Sequence, residues 1–231
     1  MKTCLITGAS RGIGLEFARQ LLARGDRVFA ACRNPESAHQ LTALASDRLH
    51  IVPLDVADAD SIAAARHIVH QQTESLDLLI NNAAILLDDE KTPGNLAALD
   101  FERTAQVFRV NATGALMVAR EFLGMMHPGG IVASITSGYG SLTLHTHNDT
   151  YAYSASKAAL NMFMRALAHD RLTRGMCVVV VDPGWVRTDM GTDAAELAPS
   201  ESVGGMLRVI DSLKPADTGR FLRWDGAEMP W

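Results

Sequence analysis

The stretch "TCLITGASRGIGLEFARQLLARG", residues 3–25, decides the fold. Its first five residues form an apolar run too short for a helix, and Gly8 cuts it off, so they read as a buried strand. From Gly12 onward the pattern is that of an amphipathic helix closed by Gly25. Between strand and helix stand Gly8, Gly12 and Gly14, spaced G-x3-G-x-G. Glycine permits a tight turn and a close approach of backbone to a ligand. The helix start behind it offers unpaired N–H groups and partial positive charge to a phosphate. A plain strand-to-helix turn would use glycines too, but first-strand placement in an alternating pattern favours a nucleotide. The spacing is neither G-x-G-x-x-G nor a P-loop, since no Gly-Lys-Ser/Thr follows.

Outward from this unit the alternation continues. Strands are expected at 27–32, 49–56, 76–84, 129–137, 176–184 and 219–226. Helices are expected at 34–45, 58–72, 101–126, 153–175 and, more weakly, 201–213. A loop around "TPGN", 92–95, separates the two halves. Continuously apolar strands separated by helices argue for a parallel sheet covered on both faces. No linker, repeat or composition break divides the chain, so residues 1–231 are expected to form one doubly wound α/β domain. Its ligands belong at the carboxyl edge of the sheet.

The bulk numbers narrow the classes of function. Hydrophobic residues make up 48% and charged residues 20%, which implies a packed core rather than disorder. A net charge of −5 disfavours nucleic acid and anionic membrane as partners. No apolar run is long enough to span a bilayer. The N-terminal apolar stretch is too short for a signal peptide and runs into the glycine turn. Cys4, Cys32 and Cys177 sit in or beside apolar runs, as reduced core thiols of a cytoplasmic protein would.

"YAYSASKAAL", residues 151–160, joins two tyrosines to one lysine. On a helix Tyr153 and Lys157 lie roughly 40° apart, whereas Tyr151 and Lys157 are separated by roughly 240°. Tyr153 is therefore the partner, although i,i+4 pairs are ordinary on any helix.

Taken in order, "TGASRGIG", "NNAA", "VNATG", "YSASK" and "DPGWVRTDM" resemble the motifs of the short-chain dehydrogenase/reductase family over essentially the whole chain. "YAYSASKAALNM", "DPGWVRTDMG" and the terminal "GAEMPW" look most like its C-factor/sniffer-like carbonyl reductases. The resemblance implies one Rossmann domain with strand order 3-2-1-4-5-6-7 and hydride transfer with NAD(P). It also implies Tyr153 as acid/base and Lys157 as its activator and ribose contact. A nearby ammonium and the nicotinamide's positive charge would lower a phenol pKa of about 10. Asn111 would position a water behind the lysine; a buried amide satisfied within its own helix is the plainer account. Asn82 would link the cofactor-side loops to the central strands, with Ala83 beside it and Ala84 where the family has glycine. Asp55 would contact the adenine amino group, with Val56 following, though Asp55 could simply cap the next helix. Pro183 and Gly184 would turn beneath the nicotinamide, and Val186 and Thr188 would contact it. Ser10, Arg11 and Ile13 complete the glycine turn.

Two further readings concern specificity. The second strand ends in "AACRN", where an NAD enzyme commonly carries a carboxylate. Cys32 replaces the acid and Arg33 follows, so Arg33 and Arg11 are expected to clamp the 2′-phosphate of NADP(H). The family's serine at the end of the fifth strand has four candidates in "IVASITSGYGS": Ser134, Thr136, Ser137 and Ser141. Separation from Tyr153 favours Ser141, strand position favours Ser137, and alternation sets Ser137 with Ile135 and against Thr136. Ser137 is preferred.

His145 and His147 lack a third ligand at suitable spacing, so no metal is expected; they should border the substrate pocket with Tyr139, Leu142, Trp185 and Met190. The segment from about 188 to 214 should cover the substrate. The methionines of 161–167 and Met125–Met126 read as packing residues, and the family's long helices often pair in a homodimer. The expected function is NADP-dependent carbonyl reduction or the reverse alcohol oxidation; direction is not legible. The alternative from another class is a nucleotide-sensing protein with the same fold and little turnover.

Overall fold

The computed structural model describes residues 1–87, 96–146 and 150–231. The "TPGN" loop and His147 lie outside the described residues. Seven strands form one sheet: β1 (Thr3–Thr7), β2 (Arg27–Cys32), β3 (Leu49–Pro53), β4 (Leu76–Asn81), β5 (Met126–Ile135), β6 (Cys177–Asp182) and β7 (Phe221–Arg223). They are ordered β3-β2-β1-β4-β5-β6-β7, and each neighbouring pair is parallel. The order therefore reverses beside β1, which puts a crevice at its carboxyl end.

Side chains alternate across the sheet, and each face has its own core. Leu5, Phe29, Leu79, Val132 and Val180 pack against α3 (Ala59–His70), α5 (Ala115–Phe122) and α6 (Tyr151–Ala168). Ile6, Val28, Ile80, Ala133 and Val181 pack against α1 (Gly12–Ala23), α2 (His39–Thr42) and α7 (Pro199–Ser212). Fully burying such side chains contributes about 1.5–3 kcal/mol each. The three cysteines are free and buried, and burial pushes the thiols of Cys4 and Cys177 up to about 12. Met125, Met126 and Met164 are buried as packing residues, but Met162 is exposed.

Several elements differ from the sequence expectation, among them β3, β4 and β7, which each end three residues short of it. The helix at 34–45 shrinks to a 3-10 turn at Pro35–Ser37 and the single turn of α2, with Ala38 and Leu41 as its buried residues. The helix at 101–126 is interrupted: α4 (Phe101–Phe108) passes into a π-helical segment, Arg109–Gly114, before α5. β5 starts three residues early, across a register shift opposite Leu76–Leu78, and stops at Ile135. α6 ends at Ala168, where Asp170 caps a separate 3-10 turn.

Candidate active site

The turn after β1 is built from backbone. Gly8 has φ +67°, and a Cβ there would lie 2.8 Å from the Ala83 Cα. A Cβ on Gly14 would lie 2.3 Å from the Gly8 carbonyl oxygen, so no other residue fits without displacing main chain. Asn82 Nδ2 donates to the carbonyls of Thr7 (2.9 Å) and Gly8 (3.1 Å). The Thr7 hydroxyl accepts from the N–H groups of Asn82 and Ala83 at 3.0 and 3.1 Å. Asn82 thus ties the turn to β4, and Ala84 is not among the residues with positive φ. The N-cap of α1 is Arg11, which makes no side-chain cap, and no acidic residue sits in the first turn. These uncapped N–H groups suit a phosphate, so the cradle fits a dinucleotide. Ser10 and Ile13 are partly buried in it.

The other nucleotide-side candidates gather at the same sheet edge. The Ala9 N–H bonds the Ala31 carbonyl, which holds the turn beside the end of β2, where Arg33 is exposed. Arg11 is exposed too and pairs with Asp189 at 3.1 Å. Asp55 accepts from the Ala57 N–H at 2.9 Å, while Asp58 caps α3, so Asp55 is not the helix cap. Val56 is buried. Beyond β6, the Ser202 hydroxyl donates to the Pro183 carbonyl at 2.6 Å, and Gly184 has φ +74°. Val186 is buried and bridges to Leu197. The Thr188 methyl lies 3.3 Å from where a Gly12 Cβ would stand, so this segment folds onto the glycine turn.

The facing turn, after β5, is built from side chains. Lys157 is buried, its Nζ donates to the Ile135 carbonyl at 2.8 Å, and it lies 5.6 Å from the centroid of the Tyr153 ring. Tyr151, by contrast, is 39% exposed. Ser137 hydrogen-bonds the Tyr153 phenol and accepts from the Tyr139 N–H at 3.2 Å. Tyr139 stands edge-on to Tyr153, with centroids 6.4 Å apart.

Burial pushes the Tyr153 phenol up to about 12, with the Ser137 hydrogen bond pulling the other way. The sequence reading expected the ammonium and the positive charge of a bound nicotinamide together to lower this pKa; among the chain's own groups burial is the largest cause. Burial also pushes Lys157 down to about 8, so its ammonium is present below that pH. The phenol is therefore held in its proton-carrying form.

The four hydroxyl candidates separate cleanly. The Thr136 hydroxyl donates to Asn161 at 2.6 Å inside the core, and Ser134 accepts from Asn81 at 3.2 Å. Ser141 is fully buried and donates to the Pro230 carbonyl at 2.7 Å. Its neighbour Thr143 bonds the Trp231 carbonyl through both its N–H and its hydroxyl. Trp231 in turn packs on Phe221 and under Arg165. Ser141 holds the terminal segment, and Ser137 meets Tyr153.

Asn111 sits in the π-helical segment, a departure from α geometry that is frequent at functional sites. It bonds both backbone groups of Ile85 at 2.8 Å and donates to the Ser156 hydroxyl at 3.1 Å. Its amide is satisfied across the fold, by the loop after β4 and by α6, rather than within its own helix. The packing of Gly114, whose Cβ would lie 2.6 Å from the Val56 carbonyl, pins the segment to the loop after β3.

His145 stands edge-on to Tyr139, and no group of three potential metal ligands occurs among the described residues. Tyr139, Leu142, Trp185 and Met190 are exposed around this edge. Sequence reasoning passed over Asp182, at the end of β6. An acid closing a run of four valines was a signal, because a carboxylate rarely ends a buried strand without a partner.

A Rossmann sheet carrying a glycine turn, a serine, and a tyrosine–lysine pair four residues apart defines the class. The family model for short chain dehydrogenase matches residues 2–198, and the chain belongs to that family of oxidoreductases. It is 43% identical to the C-signal protein of Myxococcus xanthus over 164 residues, 69% of this chain and 95% of that protein. Its structure is similar to NADPH-bound carbonyl reductase from chicken fatty liver, with TM-score 0.92 and 36% identity over 100% of this chain and 99% of that one. It is also similar to carbonyl reductase Sniffer of D. melanogaster, with TM-score 0.93 and 28% identity over the full length of both.

Proposed function

We propose that this chain is an NADPH-dependent reductase of small-molecule aldehydes or ketones, reversible toward the alcohol. The observation that carries this reading is the hydrogen bond of Ser137 to the Tyr153 phenol beside buried Lys157. A protonated phenol is the form a carbonyl reduction needs.

The cofactor would lie along the sheet edge. Gly8, Ser10, Gly12, Ile13 and Gly14 would hold the pyrophosphate, Arg11 and Arg33 the 2′-phosphate, and Asp55 and Val56 the adenine. Asn82 and Ala83 would back the ribose, and Pro183, Gly184, Val186 and Thr188 the nicotinamide. When bound, it supplies the hydride. Ser137 would donate a hydrogen bond to the substrate oxygen and stabilise charge developing there. Tyr153 would give its proton to that oxygen, so the phenolic O–H bond breaks as the alcohol O–H forms. Lys157 would support the phenolate left behind, and Asn111 would order the loop after β4 against α6 behind the pair.

The segment from about 188 to 214 would cover the substrate. A homodimer, a cytoplasmic setting and the absence of nucleic-acid or membrane partners belong to the same reading. The net charge supports it, and no helix among the described residues is long and apolar enough to cross a membrane.

The test is loss of NADPH absorbance with purified protein over a panel of aldehydes and ketones. Turnover on several members is expected. Tight NADPH binding with no turnover on any member would instead support a nucleotide sensor.

A further inference from the structure

β6 reads "CVVVVD", and its last residue, Asp182, is only 8% exposed. Alternation places it with Val178 and Val180 on the face covered by α6, the face of Lys157. In the β5–β6 register Val181 stands opposite Ile135, whose carbonyl receives the Lys157 ammonium. Asp182 is therefore one residue beyond that contact. Its Oδ1 accepts from the Gly138 N–H at 3.1 Å, and its carboxylate also accepts from the Gly184 N–H. One carboxylate thus joins the turn that carries Ser137 to the turn at 183–184. Across the sheet edge, Asp182 is in register with Arg223, whose guanidinium is taken by Asp225 at 2.9 Å.

We propose that Asp182 is a positioning residue that fixes these two turns and, through its buried charge, keeps the site loaded with protons for reduction. The inference rests on the reductase reading above and deepens it. A carboxylate opposes the formation of phenolate and favours ammonium. Its charge acts in those two directions on Tyr153 and Lys157. Burial pushes Asp182 itself upward, while the two N–H donors, Arg223 and Lys157 pull it back. The charged and titratable groups facing it are thus Tyr153 and Lys157 from α6, Arg223 from β7 and, through its effect on Tyr153, Tyr139 from the turn. Asp182 touches no reacting atom; it acts through the groups that do.

The test uses Asp182→Asn and Asp182→Ser in the full chain. Reduction of a carbonyl that the parent turns over is followed from about pH 6 to about pH 10. The falling alkaline limb is expected to move down by about one pH unit in both variants. A role confined to scaffolding would lower the rate without moving the limb. A second readout needs no turnover. The chain has three tyrosines, so Tyr139→Phe with Tyr151→Phe leaves Tyr153 as the sole phenol. In that background Asp182→Asn should bring phenolate absorbance in at lower pH. A parent without turnover would count against the reductase reading, and the phenolate titration would still decide the role of Asp182. Limbs and titrations that coincide with the parent's would overturn the proposal. So would failure of both Asp182 variants to fold, since it would make Asp182 a scaffold residue only.

Discussion

The turns after β1 and after β5 sit on the same edge of one sheet and are made of different materials. The first is held by main chain: glycines that admit no Cβ, an uncapped helix start, and Asn82 gripping two carbonyls. The second is held by side chains: Ser137 on Tyr153, Lys157 on a strand carbonyl, Asp182 on Gly138. A backbone cradle can bind a phosphate with no titrating group of its own. The side-chain turn holds groups whose pKa values burial has moved apart, to about 12 and about 8. The first turn is built for binding and the second for proton transfer, so substitutions should divide along that line.

The largest effect is expected from Tyr153→Phe, which keeps the ring and deletes the donor. Turnover should fall by about 10²–10⁴ while NADPH affinity stays within about threefold. Activity near that of the parent would assign the chemistry elsewhere, and Tyr151 would be examined next.

Ser137→Ala and Ser141→Ala sharpen the comparison within a single loop. Removing the Ser137 donor should lower kcat by about 10²–10³. Ser141→Ala should leave kcat within about threefold and lower thermal stability slightly, because the Pro230 carbonyl loses a hydrogen bond worth about 0.5–1.5 kcal/mol. The opposite pattern in kcat would reverse the assignment.

Smaller still is the effect on cofactor choice. The parent should bind NADP(H) more tightly than NAD(H) by about tenfold, and Arg33→Asp should narrow or reverse that ratio by placing a carboxylate beside the 2′ position. Equal affinities in the parent, measured by fluorescence titration, would remove Arg33 and Arg11 from the clamp.

The same contrast explains what could be read in advance. The sheet and its parallel neighbours were legible because buried strands declare themselves as apolar runs. The glycine turn was legible because its constraint is local, and Tyr153–Lys157 because one helix carries both. The partners of Asn111 were not: Ile85 and Ser156 are far away in sequence, and the π-helical segment that presents it leaves no periodic trace. Spacing alone left Ser137 and Ser141 in contention, and it took the Pro230 carbonyl, distant in the chain, to separate them. The rise in the Tyr153 pKa depended on burial, which the motif does not encode.

The central claim is that the α6 pair holds its proton on the phenol and titrates through the lysine. The pH profile of kcat/KM for carbonyl reduction by the parent tests it most directly. With Tyr153 near 12, no loss of donor should appear below about pH 9. With Lys157 at about 8, its ammonium is present below that pH and lost above it. Reduction should therefore be flat on the acid side and fall as pH rises through about 8, and Lys157→Arg should carry that limb to higher pH. A rate that climbs with pH through the same interval would contradict the account, because it would place a deprotonated group, rather than the Tyr153 phenol, at the chemical step.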